Sequence, residues 1–203
     1  PRVNIQEDEI TKPILATAED PNIQIPMYIT AYRTPSMKTR EARVLDMVSS
    51  YLSGGKSSPM QKKIVDEKKM ALQLFAFNYA QEDYGMYLIA GLPMGETTRE
   101  ALQTEIDAEI AKLQTELISE RDYQKLQNDF ENRYVNGNSN LETLAENLAS
   151  NYLLYGDINL INEEINIYRS ITREEIRDVA KKYLNSNSRL LLDYVPAKEE
   201  AAK

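Results

Sequence analysis

The sequence predicts an α+β fold of two layers, a mostly antiparallel sheet with helices packed on one face. Three observations carry that prediction. β-Branched and aromatic runs near residue 27 and between 70 and 93 read as strands; residues 97–184 hold a helical period; and "SRLLLDYVP" ends the fold on another strand. Strands and helices come in blocks, which excludes a regularly alternating parallel α/β sheet, and no internal repeat is visible.

Residues 1–26 are polar, acidic and broken by Pro1, Pro13, Pro21 and Pro26. Proline fixes φ and removes a donor, so an extended lead-in or inter-lobe linker is expected there. Residues 27–196 are expected to form a single α+β lobe, and 197–203 a charged tail. In "IPMYITAYRTP", Met27, Ile29 and Ala31 alternate with Tyr28, Thr30 and Tyr32, and Pro35 closes the strand. The period then changes. Over residues 37–53, Val44, Leu45, Val48, Tyr51 and Leu52 form one stripe of an amphipathic helix. Gly54 and Gly55 stand where a helix C-cap needs positive φ, and a shorter helix is expected from Ser57 or Ser58 to about Lys68.

"MALQLFAFNYAQ" and "GMYLIAGLP" read as neighbouring antiparallel strands, making about four strands in all. Thr97 with Glu100 has capping-box spacing and leads a helix striped by Leu102, Ile106, Ile110, Leu113 and Leu117. Ser119 with Asp122 opens the next, through Tyr123, Leu126 and Phe130. "NGNSN" at 136–140 interrupts it, and Ser139 with Glu142 restarts the pattern through Leu144, Leu148 and Tyr152. A helix over roughly 158–169 follows, then one capped by Thr172 with Glu175 and carrying Ile176, Val179, Ala180 and Tyr183.

Composition narrows the function. A chain of 203 residues holds one sizeable core, and a formal charge of −8 argues against a nucleic-acid partner. No window approaches about 18 apolar residues, so no membrane span is expected; the reading is a soluble protein, cytoplasmic or periplasmic. The chain begins at Pro1 and not at Met, so an excised or processed piece is expected. With no cysteine, disulfides, thiolate zinc sites and cysteine nucleophiles are excluded. With no histidine, the commonest general base and zinc ligand are gone too.

Candidate motifs are weak. "SGGKSS" at 53–58 resembles the end of a phosphate loop, but the position five before Gly55 is Ser50, and a helix leads in where such a loop needs a strand. The pairs Glu82/Asp83, Glu163/Glu164 and Glu174/Glu175 read as solvated faces, the last also as a favourable charge on a helix N-terminus. Thirteen tyrosines, clustered at Tyr28, Tyr32, Tyr79, Tyr84 and Tyr87 around the strands, suit a core or a half-wet sheet face. No catalytic, cofactor-binding or metal-ligating residue is expected in the chain.

The order and spacing of "YITAYRTP", "YLSGGKSSPM", "IVDEKKMALQLFAF", "DYGMYLIAGLP", "ISERDYQKLQNDF" and "SITREEIRDVAKKYL" resemble one lobe of an insulinase/pitrilysin-type zinc metallopeptidase over about residues 24–196. The resemblance implies a lobe of about 200 residues, paired with another to enclose a peptide-binding chamber. The family's catalytic lobe carries H-x-x-E-H, which a chain without histidine lacks, so this chain resembles the non-catalytic C-terminal lobe. Zinc is then expected in a catalytic lobe or partner subunit, with a peptide as substrate. Many active members supply an arginine and, seven residues later, a tyrosine from this lobe. Those positions fall on Val65 and Leu72, which do not match, and no substrate role is carried over. The alternative is a structural or assembly subunit that kept the fold and lost peptidase chemistry. An unrelated acidic α+β binding module is the third option.

Overall fold

The computed structural model describes residues 8–197. Its sheet has five strands, β1 (Ile14–Asp20), β2 (Met27–Pro35), β3 (Ala71–Tyr79), β4 (Tyr84–Pro93) and β5 (Arg189–Pro196), in the order β1-β5-β2-β4-β3. Every neighbouring pair is antiparallel except β1 with β5. The helices are α1 (Arg40–Ser53), α2 (Arg99–Thr115), α3 (Glu120–Gly137), α4 (Leu141–Ser150), α5 (Leu160–Ser170) and α6 (Arg173–Tyr183), with π-helical segments at Gln61–Glu67 and Asn151–Tyr155.

The fifth strand corrects the expectation of about four. It comes from the segment read as a lead-in, where Pro13 and Pro21 bracket "ILATAED" and β1 runs parallel to β5 from Ile14 opposite Leu190 to Asp20 opposite Pro196. An edge strand pairs on one side only, so its sequence tolerates the exposed acids that hid it. The Tyr194 hydroxyl donates to Asp20 at its end, which holds that carboxyl below its usual range. Residues 1–7 of the expected lead-in and 198–203 of the expected tail lie outside the described residues.

α1 is the centre of the core. Val44, Leu45, Met47, Val48 and Leu52 are all at most 1% exposed, and the helix packs on β3 on one side and α6 on the other. Ile64, Leu102, Ile106, Ile171 and Ile176 close the same cluster from the remaining helical layer. Two expected helix starts move by one residue for one reason. Thr97 donates to Met94 O at 2.7 Å and Thr98 caps α2; Ser139 donates to Asn136 O at 2.7 Å and Asn140 caps α4. Where two capping residues are adjacent, the first closes the preceding turn and the second starts the helix. Ser119 caps α3 as expected, and Thr172 with Glu175 forms the full capping box of α6. The expected stripe Leu144–Leu148–Tyr152 does not become core. No residue of α4 is buried, and Tyr152 is 69% exposed.

Two buried polar groups lead to predictions. The Tyr87 hydroxyl is enclosed with no hydrogen-bond partner, and Ser49 near it gives its proton to Leu45 O. Because an unsatisfied buried hydroxyl costs about 1–3 kcal/mol, Tyr87→Phe is expected to leave stability within about 0.5 kcal/mol or raise it, as read by urea unfolding.

Asp46 on α1 accepts from Asn78 Nδ2 at 3.0 Å and from the Tyr168 hydroxyl at 2.9 Å, yet burial still pushes its carboxyl above the ordinary range. A carboxyl raised in the fold stabilises when protonated, and that contribution is lost as pH rises through the raised value. Asp46→Asn keeps two hydrogen bonds if Tyr168 turns to accept. Its stability advantage over the parent is therefore expected to grow from about pH 4 upward, measured by urea unfolding at pH 4 and 7. An advantage that shrinks with pH would reverse the sign.

Candidate functional site

The helices contact the sheet from one side, so alternate strand residues face them. Thr30, Tyr32 and Thr34 of β2, Leu74 and Ala76 of β3, Tyr87 and Ile89 of β4, and Arg189 and Leu191 of β5 are buried on that side, and Ala90 is buried although its parity places it on the other. Their neighbours in sequence face the other way, and cross-strand pairing shows who meets whom there. Phe75 lies opposite Ala90, Phe77 opposite Leu88, and Tyr79 opposite Met86. Ala31 lies between Leu88 and Leu190, and Ile29 between Ala90 and Leu192. Ile14 and Ala16 continue the row beyond β5.

This second face is apolar almost throughout, with Arg33 as its charged member on β2 to β5 and Gln73 the polar one on β3. A one-sided antiparallel sheet normally turns polar residues to water. Here Phe75 (39%), Phe77 (38%), Tyr79 (51%) and Met86 (40%) stay exposed, and the Phe75 and Phe77 rings stack at 6.0 Å. Among the described residues no helix covers this face. Exposed apolar area of that extent marks an interaction surface.

The outer edge of β3 behaves differently. The Ser53 hydroxyl, from the last turn of α1, accepts from Ala76 N at 2.7 Å and donates to Ala76 O at 3.2 Å. One side chain thus occupies both edge groups of Ala76, near the strand's middle, the positions an added strand would need. At Ala76 the β3 edge is therefore closed to strand addition.

The positions singled out from the sequence scatter. Val65 is half-buried in the π-helical segment against the core, while Leu72 is 47% exposed at the start of β3. Neither side chain carries a charge or a hydrogen-bonding group. Glu82 and Asp83 sit at the β3–β4 turn, Glu163 and Glu164 on α5, and Glu174 and Glu175 in the first turn of α6. Glu175 is held below its usual range chiefly by Arg40, which reaches it at 2.7 and 3.0 Å. Glu164 is pushed up by burial. No group of three potential metal ligands occurs among the described residues, and no described helix is long and apolar enough to cross a membrane. The "SGGKSS" glycines end α1 as expected, with Gly54 N donating to Ser50 O at 2.8 Å and Gly55 at φ +101°.

Comparison with known proteins agrees with this architecture. Residues 1–130 match the family described as the peptidase M16 inactive domain. The chain is 29% identical over 154 residues to the zinc protease PqqE of Helicobacter pylori, covering 75% of this chain and 34% of that protein. It superposes on the crystal structure of a protease from Helicobacter pylori with a TM-score of 0.87 at 22% identity, over 97% of this chain and 47% of that one. It superposes on a peptidase M16 inactive domain from Pseudomonas fluorescens with a TM-score of 0.80 at 10% identity, over 98% of this chain and 46% of that one. The chain therefore spans about a third of the length of its curated relative and about half of these structures.

Proposed function

We propose, on the premise that the chain belongs to the peptidase M16 inactive-domain family, that it serves as the non-catalytic lobe of a zinc-dependent peptidase and forms one wall of a peptide-binding chamber. The open apolar sheet face carries this reading. A fold with one helical layer leaves the face uncovered, and Phe75, Phe77, Tyr79 and Met86 make it adhesive to an extended chain. Side chains two apart on β3 repeat at about 6.6 Å, the spacing of alternate side chains in an extended peptide.

Zinc and the general base belong to a catalytic lobe or partner subunit, since this chain has neither histidine nor cysteine to hold the metal. The lobe's own part is to bind and align. With Val65 and Leu72 in place of a polar pair, its grip on substrate is apolar, not a hydrogen bond to the scissile region. The acidic net charge of −8 makes no use of a nucleic-acid partner.

A photo-crosslinking residue at Phe77 of the full-length protein tests this. An extended apolar peptide of about 12 residues should couple at Phe77 and not at Tyr152 on the helical side. Coupling at Tyr152 alone, or at neither, would leave the structural-subunit alternative as the better reading. Absence of H-x-x-E-H from both the parent gene and its neighbour would favour that alternative too.

A further inference from the structure

The helices α3, α4 and α5 enclose a cleft of about 270 Å³ on the helical side of the molecule, away from the open sheet face. Its polarity is inverted. Leu141 (85%), Leu153 (80%) and Tyr152 (69%) point outward, while Asn138, Asn147, Asn151 and Glu164 line the interior. An interior that a helical hairpin would ordinarily fill with leucine is lined instead with amides, a carboxylate and the Arg133 side chain.

The hydrogen bonds within the lining decide which chemistry is left over. Asn147 Nδ2 donates to Gly137 O at 3.2 Å and to Asn138 Oδ1 at 3.1 Å; Asn138 Nδ2 donates to Tyr134 O at 3.0 Å. The Tyr134 hydroxyl donates to Ile161 O at 2.6 Å. Arg133 lies over the Phe130 ring at 4.2 Å and donates to Ser50 Oγ at 2.8 Å, turned toward α1. Donors are thus largely consumed by the protein's own acceptors. Asn147 Oδ1, the Asn151 amide and the Glu164 carboxylate remain.

Glu164 faces one cation, Arg43 Nε at 3.6 Å, beyond hydrogen-bond distance. Its side chain keeps 36% exposure. The carboxylate therefore retains acceptor capacity in a site partly screened from water, where a charge-assisted bond is strong. Phe130, Ile161 and Tyr168 supply apolar walls for an aliphatic stem, as long cationic side chains require.

We infer that this cleft binds a cationic donor group on an aliphatic stem, an alkylguanidinium or alkylammonium, with Glu164 as its anchor and the Asn147 and Asn151 amides as secondary acceptors. The group belongs either to a free small molecule or to an arginine or lysine of a peptide. The site stands apart from the chamber reading, because its residues come from α3–α5 and none from the open face.

Calorimetric titration of the full chain with agmatine, with the peptide acetyl-Ala-Arg-Ala-amide and with uncharged pentanamide tests the assignment. Saturable binding of agmatine, of the peptide or of both supports it, and which of them binds tells the source. Glu164→Gln is expected to weaken that binding by roughly tenfold or more, the loss of one charge-assisted bond. Asn151→Leu, at a half-exposed position, blocks the cleft without touching Arg43 and should weaken binding as well. It also decides the matter if Glu164→Gln does not fold. Loss in Glu164→Gln with retention in Asn151→Leu still supports the carboxylate anchor; the reverse overturns it. No saturation by either cation, pentanamide binding as well as agmatine, or both variants binding like the parent would also overturn it.

Discussion

Serine at both Phe75 and Phe77 is expected to raise the full-length protein's KM for extended apolar peptides by about tenfold, with kcat and melting temperature little changed. The two rings are 39% and 38% exposed and stacked on each other at 6.0 Å, so they stand outside the core. Fully burying a phenylalanine side chain is worth about 1.5–3 kcal/mol, so covering what remains exposed on two of them is worth about 1.2–2.3 kcal/mol, the size of the 1.4 kcal/mol of a tenfold change. On the proposed reading the face binds the peptide without touching the reacting groups, so the loss should fall on KM and not on kcat. Tyr152→Ser with Leu153→Ser, more exposed still but on the helical side, is the control. A KM change in the control pair without one in the phenylalanine pair would remove the face from substrate binding. A fall in melting temperature in the phenylalanine pair would instead show the rings supporting the fold.

The signal for that face is present in the sequence, in the strands themselves. "LQLFAF" and "YLIAGL" are apolar at both parities, the pattern of strands covered on two sides. One chain of this length supplies helices for a single side. The mismatch is what marks the open face, and it emerges only once the number of layers is known.

Elements with strong local chemistry are legible for the same kind of reason. β2, α1, the β3–β4 hairpin, the Ser119 cap and the Thr172–Glu175 box each rest on residues that interact within a few positions. β1 is not legible, because its partner β5 lies about 175 residues later and only that pairing makes a strand of "ILATAED". The arm α4 misleads in the opposite sense. Leu144, Leu148 and Tyr152 have a helical period, but period reports an apolar stripe and not what covers it. The cleft beneath it, lined by asparagines from the end of α3, from α4 and from the π-helical segment after it, has no sequence pattern at all, since its members are brought together by packing alone.

Alanine at Gly54 is expected to cost about 2–4 kcal/mol of stability, and alanine at Gly55 about 1–2 kcal/mol, although both glycines serve one turn. A Cβ on Gly54 would lie 2.3 Å from Ser50 O and 3.0 Å from Ser50 C and Cα. Those are backbone atoms of the last turn of α1, where Leu52 is fully buried, so the helix end itself must move. Moving it also pulls Ser53 from the two hydrogen bonds it makes to Ala76. Gly55 meets nothing within 4 Å, and the penalty there is the φ of +101° alone. Urea unfolding of the two variants should therefore rank Gly54→Ala well below Gly55→Ala. Amide exchange should show Ala76 losing protection in the first and keeping it in the second. The reverse ranking, or an Ala76 amide unmoved in Gly54→Ala, would mean that the helix end is not tied to the β3 edge through Ser53.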